Sequence, residues 1–302
     1  MTINHSAWLR SLSEQQRRRL TQKSDLIGLQ YLVLHAGLIA TLGGLIATAN
    51  LPLWLLFPAM VVQGILLVFL FTLQHETTHY TPFKTRSLNT IAGYFCGVIL
   101  LLPPVWFRYF HLAHHRWTQN PQKDPELASP KPASRYQYAA YLSGLPVWNS
   151  QIRTLLRNAF HQCTDEFVPV NKRATVRFES LTMISLYFVL AIISITTGLT
   201  ELLTIWILPM LLGQPFLRAY LLAEHTNCPQ VDNRFENTRT LLTTALVRRL
   251  AWNMPYHTEH HAYPAVPFFR LPEAHRLANQ HLRQLEPGYR SFHQRLFKQL
   301  GN

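Results

Sequence analysis

Two long stretches of this chain contain no lysine or arginine, one between Lys23 and Lys84 and one between Arg177 and Arg218. Both are strongly apolar. Crossing a hydrocarbon core of about 30 Å takes about 20 helical residues, and each stretch holds two such lengths. The first supplies residues 26–49 and 51–73, with a turn at 50–52. The second supplies 181–199 and 202–222, with a turn near 200–201. The expected fold is therefore an all-α integral membrane protein with four transmembrane helices in two hairpins. The composition agrees: only 14% of residues are charged, against about 25% in soluble domains. Hydrophobic residues make up 48% of the chain, which excludes a disordered chain. The three cysteines (Cys96, Cys163 and Cys228) form no CxxC pair and read as free thiols rather than a disulfide framework. The first 25 residues are polar, include Arg17, Arg18 and Arg19, and do not read as a secretory signal.

Net charge is +13, from 28 Lys and Arg against 15 Asp and Glu. The short outer turns of both hairpins carry none of these cations. The positive-inside rule then places the N-terminus, the middle segment and the C-terminus on the cytoplasmic side. The cations are spread along this face and form no compact reader of nucleic acid, so that class is set aside. Residues 88–107 are apolar too, but Lys84 and Arg108 flank them and Pro103–Pro104 interrupts them. An interfacial or re-entrant element is expected there. The whole of 1–302 reads as one domain, with a cytosolic helical cap built from 108–180 and 223–302. From Pro272 the chain alternates Leu277, Leu282 and Leu285 with polar residues, as a surface helix ending at Pro287–Gly288 would.

Nine of the 15 histidines fall at the predicted cytoplasmic ends of the spans. His75 and His79 form HxxxH; His111, His114 and His115 form HxxHH; His225 follows the fourth span; His257, His260 and His261 form a second HxxHH. Residues at i, i+3 and i+4 share a helix face, so each box converges its imidazoles on one point. At this histidine content, chance would supply about 0.04 copies of HxxHH in 300 residues. Imidazole suits iron, zinc, copper or nickel. Nine ligands exceed one ion and fit two, each with four or five nitrogens and an open position. Glu76, Glu224 and Glu259 adjoin ligand candidates and could bridge metals or orient imidazoles. Asn253 lies four residues before His257 and would share its face. Asp124 could orient a box histidine or cap a turn before Pro125. His35, inside the first span, reads as a buried hydrogen-bonded group. His5, His161, His275, His281 and His293 read as solvated surface; Trp54, Trp106, Trp148, Trp206 and Trp252 suit membrane interfaces or acyl-tunnel walls, most of them as interface anchors.

The boxes HETTH (75–79), HLAHH (111–115) and HTEHH (257–261) resemble those of the membrane fatty acid desaturase and hydroxylase superfamily. The flanking HLAHHRWTQNPQKDPEL (111–127) and WNMPYHTEHHAYP (252–264) resemble its acyl-lipid desaturase-like branch. The resemblance runs from about residue 26 to 281. It implies a non-haem di-iron centre at the cytoplasmic membrane face, with molecular oxygen as co-substrate. It also implies an acyl chain as substrate, held in an apolar tunnel between the spans. His225, in AEHT, matches a lone ligand that some members carry between the second and third boxes. Some desaturases also have an Asn four residues before that histidine; Leu221 stands there in this chain, which favours a nine-histidine site. No GxGxxG after a strand, no P-loop and no HPGG haem signature is present. The two electrons would therefore come from a separate donor, of ferredoxin or cytochrome b5 type, drawn to the basic face. A hydroxylase or ketolase of the same superfamily, on alkyl, sphingolipid or carotenoid substrates, is the alternative. Residues 75–79 also satisfy the zinc-protease pattern HExxH, and a haem or metal carrier is a third class.

Overall fold

The computed structural model describes residues 3–301. Its helices are α1 (His5–Ser11), α2 (Glu14–Leu20), α3 (Asp25–Thr48), α4 (Leu53–Thr77), α5 (Arg86–Leu100), α6 (Pro104–Trp117), α7 (Arg135–Leu142), α8 (Leu145–Phe160), α9 (Arg173–Thr197), α10 (Leu208–His225), α11 (Arg234–Asn237), α12 (Ala245–Leu250), α13 (His257–Ala262), α14 (Leu271–Ala278) and α15 (Tyr289–Gln299). A two-stranded parallel sheet, β1 (Thr240–Leu241) with β2 (Leu285–Glu286), is the extended structure among the described residues.

Four segments are long and apolar enough to cross a membrane: Glu14–Thr48, Leu53–Thr77, Val170–Thr197 and Leu202–His225. They overlap the four predicted spans, the first beginning at 14 rather than 26 and the second running over 53–77 rather than 51–73. The third begins earlier than 181, and the fourth opens with a π-helical turn at Leu202–Ile207 and continues to His225. Helix α3 starts at the Ser24 cap, whose hydroxyl accepts the Ile27 N–H. It exposes Leu26, Val33, Leu34 and Leu38, as a helix surrounded by lipid does.

The spans pack around one very close crossing. A Cβ on Gly64 of α4 would stand 1.9 Å from the Pro209 carbonyl oxygen, and one on Gly213 of α10 would stand 2.3 Å from the Gly64 oxygen. Only glycine permits that approach, the small-residue contact typical of membrane helix pairs. From this crossing α4 runs on to His75 and α10 to His225, arriving side by side. The two helices therefore run in the same direction.

Helix α9 leans on α8 and α6, and α5 packs along α4. The last carbonyls of α5, left without intrahelical partners, take Tyr187 O–H from α9 (to Val98 O, 2.8 Å) and Trp206 N–H from the π-helical turn (to Ile99 O, 2.9 Å). Between α5 and α6 the chain bends by 99°. Leu101 adopts a left-handed conformation (φ 57°), and Pro103 and Pro104 follow. The single element expected over 88–107 is thus two helices with a sharp break, the shape of a re-entrant loop or a broken span.

Two expectations need correction. The C-terminal surface helix is instead α14, a 3-10 turn at Asn279–His281 and strand β2. Leu271, Ala274 and Ala278 of α14 are fully buried, and backbone bonds from Thr240 to Gln284 and from Leu242 to Glu286 hold the following chain extended. Trp252, expected at a membrane interface or a tunnel wall, is completely buried and lines no part of the cavity beside the box histidines. Its N–H donates to His35 Nδ1 (3.2 Å), while His35 Nε2 bonds the Leu66 carbonyl (2.9 Å). His35 is the buried, hydrogen-bonded group expected of it, and it ties α3 and α4 to the loop before α13.

Candidate metal centre

All nine box histidines meet in one buried cluster. His75 ends α4, and His79 lies in the turn that closes it, where Thr77 and Thr78 hydroxyls bond back to the Gln74 and His75 carbonyls. Tyr80, in a left-handed conformation (φ 54°), turns the chain away. His111, His114 and His115 occupy the last turns of α6; His225 ends α10; His257, His260 and His261 line the six-residue α13.

The donor atoms separate into two groups. In the first, donor nitrogens of His75, His111, His115 and His260 all lie within 4.8 Å of one another. His79 Nε2 joins them at 2.9 Å from His111 Nε2, and His115 and His260 Nε2 are 3.2 Å apart. In the second, His114, His225 and His261 cluster in the same way. His225 Nε2 stands 3.2 Å from His114 Nε2 and 3.1 Å from His257 Nε2. The groups abut through the stacked rings of His115 and His261, 3.9 Å apart.

Outward-facing nitrogens say which atoms face inward. His114 Nδ1 is 2.9 Å from Asp124 Oδ1, His225 Nδ1 is 3.2 Å from the Asn237 carbonyl, and His261 Nδ1 is 3.2 Å from Thr118 Oγ1. Glu76 Oε1 faces His260 Nδ1 at 3.4 Å, and Glu224 Oε1 faces His257 Nδ1 at 3.5 Å. An N–H on the outer nitrogen leaves a bare lone pair on the inner one. Lone pairs converging at 2.9–3.2 Å repel unless a cation sits between them. Two nitrogens each about 2.1 Å from one ion at a right angle stand about 3.0 Å apart. Both nitrogens of His75 and the Nε2 of His261 are buried without a hydrogen-bond partner. The residues fit two metal ions, with five imidazoles around one position and four around the other. Burial, with a smaller push from Arg108, lowers the His79 pKa to about 3. Such an imidazole is neutral at pH 7, as a ligand must be. Nitrogens so closely spaced leave no room for a haem between them.

The flanking residues divide. Asp124 orients His114, and its Oδ2 accepts the Gln119 N–H (2.8 Å). Glu76 and Glu224 face box histidines, at distances that make no hydrogen bond to them. Glu259 touches none of the nine: it bonds Thr240 Oγ1 and His275 Nδ1 instead, anchoring α13 to β1 and α14. Asn253 shares no helix face with His257, because α13 begins only at His257 and Asn253 sits in a left-handed turn (φ 57°). Its amide bonds the Phe268 carbonyl. His275, His281, His5 and His293 are wholly or partly buried, contrary to the surface reading, whereas His161 is exposed. The protease pattern fails on geometry. The fully buried Glu76 Oε2 accepts the Thr81 hydroxyl (2.8 Å) and the Phe268 N–H (3.1 Å), away from any cavity.

Sequence reasoning passed over Glu126. Its Oε2 lies 3.3 Å from His114 Nε2, and its Oε1 pairs with Lys131 Nζ at 2.6 Å. Burial works against its charge, but the Lys131 ammonium beside it holds the carboxyl well below the usual range. Its one signal was proximity to Asp124 in the KDPEL run. A cavity of about 250 Å³ opens against the imidazoles of His75, His111, His114 and His257. It is lined by Phe71, Trp106, Phe107 and Phe110 and also by Glu126, Lys131, Arg218 and Glu224, so the lining is not the apolar tunnel expected but a mixed one.

A helical membrane protein with a buried, nine-histidine centre beside a cavity is an oxidoreductase of the histidine-box class. The chain belongs to the fatty acid desaturase family, whose profile matches residues 51–293. It is 23% identical over 255 residues to an sn-1 oleoyl-lipid 12-desaturase of Picosynechococcus sp., covering 78% of this chain and 72% of that protein. It is 26% identical over 258 residues to a dihydrorhizobitoxine desaturase of Bradyrhizobium elkanii, covering 78% and 70%. Against a sphingolipid delta(4)-desaturase of Drosophila melanogaster it is 28% identical over 234 residues, covering 75% and 67%.

Proposed function

We propose that this chain is an oxygen-dependent desaturase whose nine box histidines hold two iron ions, five imidazoles (His75, His79, His111, His115, His260) around one and four (His114, His225, His257, His261) around the other. The two convergent groups of Nε2 atoms carry this reading. Bound iron would supply activation of molecular oxygen and removal of hydrogen from an unactivated CH₂. The protein supplies the rest. Asp124 steadies the His114 imidazole, Glu76 and Glu224 face two others, the aromatic side chains lining the cavity position an alkyl segment, and the buried site keeps water out. The overall change takes –CH₂–CH₂– with O₂, two electrons and two protons to –CH=CH– and two waters. The electrons come from a separate ferredoxin- or cytochrome b5-type donor.

The arrangement follows the same reading: two hairpins in the membrane, with both termini and a histidine-holding helical cap on the cytoplasmic side. The parallel course of α4 and α10 supports it, since both deliver a box histidine at the same membrane face. Expression in a host with a simple lipid profile, beside a His114→Ala control, tests the function. Acyl chains and extracted acids are read by gas chromatography with mass spectrometry. A new double bond that requires His114 is the expected result. A new hydroxyl or keto group in its place reassigns the chain to the hydroxylase and ketolase branch.

A further inference from the structure

Arg218 is the cation of this cavity that nothing in the protein neutralises at close range. It lies on α10, inside the fourth span, yet only 7% of its surface is exposed. Among the described residues it makes no ion pair, and its Nε has no hydrogen-bond partner. The charged or ionisable groups that its guanidinium faces are Glu224, Glu126 and the phenol of Tyr141. Glu126 is already engaged with Lys131 at 2.6 Å, and Glu224 stands 3.5 Å from His257 Nδ1, with neither carboxyl in an ion pair with Arg218. A guanidinium removed from water without a partner is strongly unfavourable, and an ionisable side chain inside a span marks a functional position. Its planar fork matches a carboxylate through two parallel hydrogen bonds.

We infer that Arg218 binds the carboxylate of the substrate, and that this chain oxidises a small aliphatic carboxylic acid held wholly in the cavity rather than the middle of a bilayer lipid's acyl chain. The inference rests on the oxidative reading of the histidine centre. The cavity volume, about 250 Å³, falls below the roughly 300–1,000 Å³ of pockets for drug-sized ligands. Arg218 precedes His225 by seven residues on one helix, about 10 Å along its axis. The acid head and the reacting carbon are therefore close, and the alkyl segment between them lies along Phe71, Trp106, Phe107 and Phe110.

Equilibrium binding of radiolabelled decanoate and methyl decanoate to the iron-loaded, full-length protein in detergent tests this. Wild-type protein should bind the acid at least tenfold more tightly than the ester. Arg218→Gln should weaken the acid at least tenfold and the ester less than about twofold, with Arg218→Lys intermediate and iron content unchanged. An ester that binds wild type as well as the acid overturns the inference without recourse to any variant. So does acid affinity unaffected by Arg218→Gln. The two readings fail separately. Desaturation of phospholipid acyl chains that survives Arg218→Gln removes the inference and keeps the desaturase. Acid binding that depends on Arg218, with no oxidised product when donor and oxygen are supplied, does the reverse.

Discussion

In the proposed centre Asp124 acts on the metal position through the imidazole of His114. Its Oδ1 fixes the His114 Nδ1 proton and so presents Nε2 to the four-imidazole position, while its Oδ2 and Oδ1 also take the Gln119 and Glu126 N–H groups. Losing such an oriented carboxylate typically costs 10–100-fold in metal affinity. Asp124→Asn should therefore lower bound iron from two toward one per chain under limiting metal, with helix content unchanged. Elemental analysis against circular dichroism reads this, and two retained irons would count against the assignment. The nine histidines were legible in the sequence because the i, i+3, i+4 spacing is itself geometric. Their supports were legible only by adjacency, and adjacency misled at Glu259 and Asn253. Glu259 lies beside His260 in sequence but points to His275. Asn253 fails because the helical spacing counted from His257 crosses a left-handed turn at Trp252 and Asn253. Arg218 was visible only as the cation ending the second uncharged stretch, and nothing in the sequence showed that it would remain unpaired.

At the scale of elements, the close crossing of α4 and α10 sets the height at which both helices deliver histidines. Adding a methyl at Gly64 drives it into the Pro209 carbonyl, which is backbone and cannot step aside. Overpacking of this kind costs about 1–3 kcal/mol. Gly64→Ala should lower the melting temperature by several degrees and reduce iron content in both positions, since α4 serves one and α10 the other. Gly44→Ala on α3 is the control. No atom lies within 4 Å of its Cβ, so it should be neutral or slightly stabilising. Equal melting temperatures for the two variants would show that the helices do not meet at Gly64. The spans themselves were legible from composition, because lipid demands long apolar helices whatever their neighbours. Their partners were not. That α5 would hold Tyr187 of α9 and Trp206 on its terminal carbonyls depends on contacts that no periodicity encodes.

Over the whole molecule, the centre is assembled from four distant pieces of chain: the end of α4, α6, the end of α10 and α13. The last is six residues long, far below the about 12–15 needed for a helix to persist alone. It is held by Thr258 Oγ1 on the Thr238 carbonyl, by Glu259 on Thr240 and His275, and by its three imidazoles in the cluster. Metal that binds the folded cluster but not the separated pieces stabilises the fold by mass action. The gain is about 2.7 kcal/mol per site at a hundredfold excess over the dissociation constant. Removing it leaves inward lone pairs facing one another with nothing to offset them, and α13 is the piece with least else to keep it in place. Chelation should therefore lower the melting temperature by several degrees. It should also open residues 238–264 to limited proteolysis before the spans are touched, and ferrous iron should reverse both effects. The order of events carries the argument. An apoprotein with the same melting temperature and cleavage pattern as the loaded one would mean that the nine imidazoles are held by packing alone. Cleavage that begins in the spans would mean that the metal stabilises the bundle rather than the short helix that closes its end.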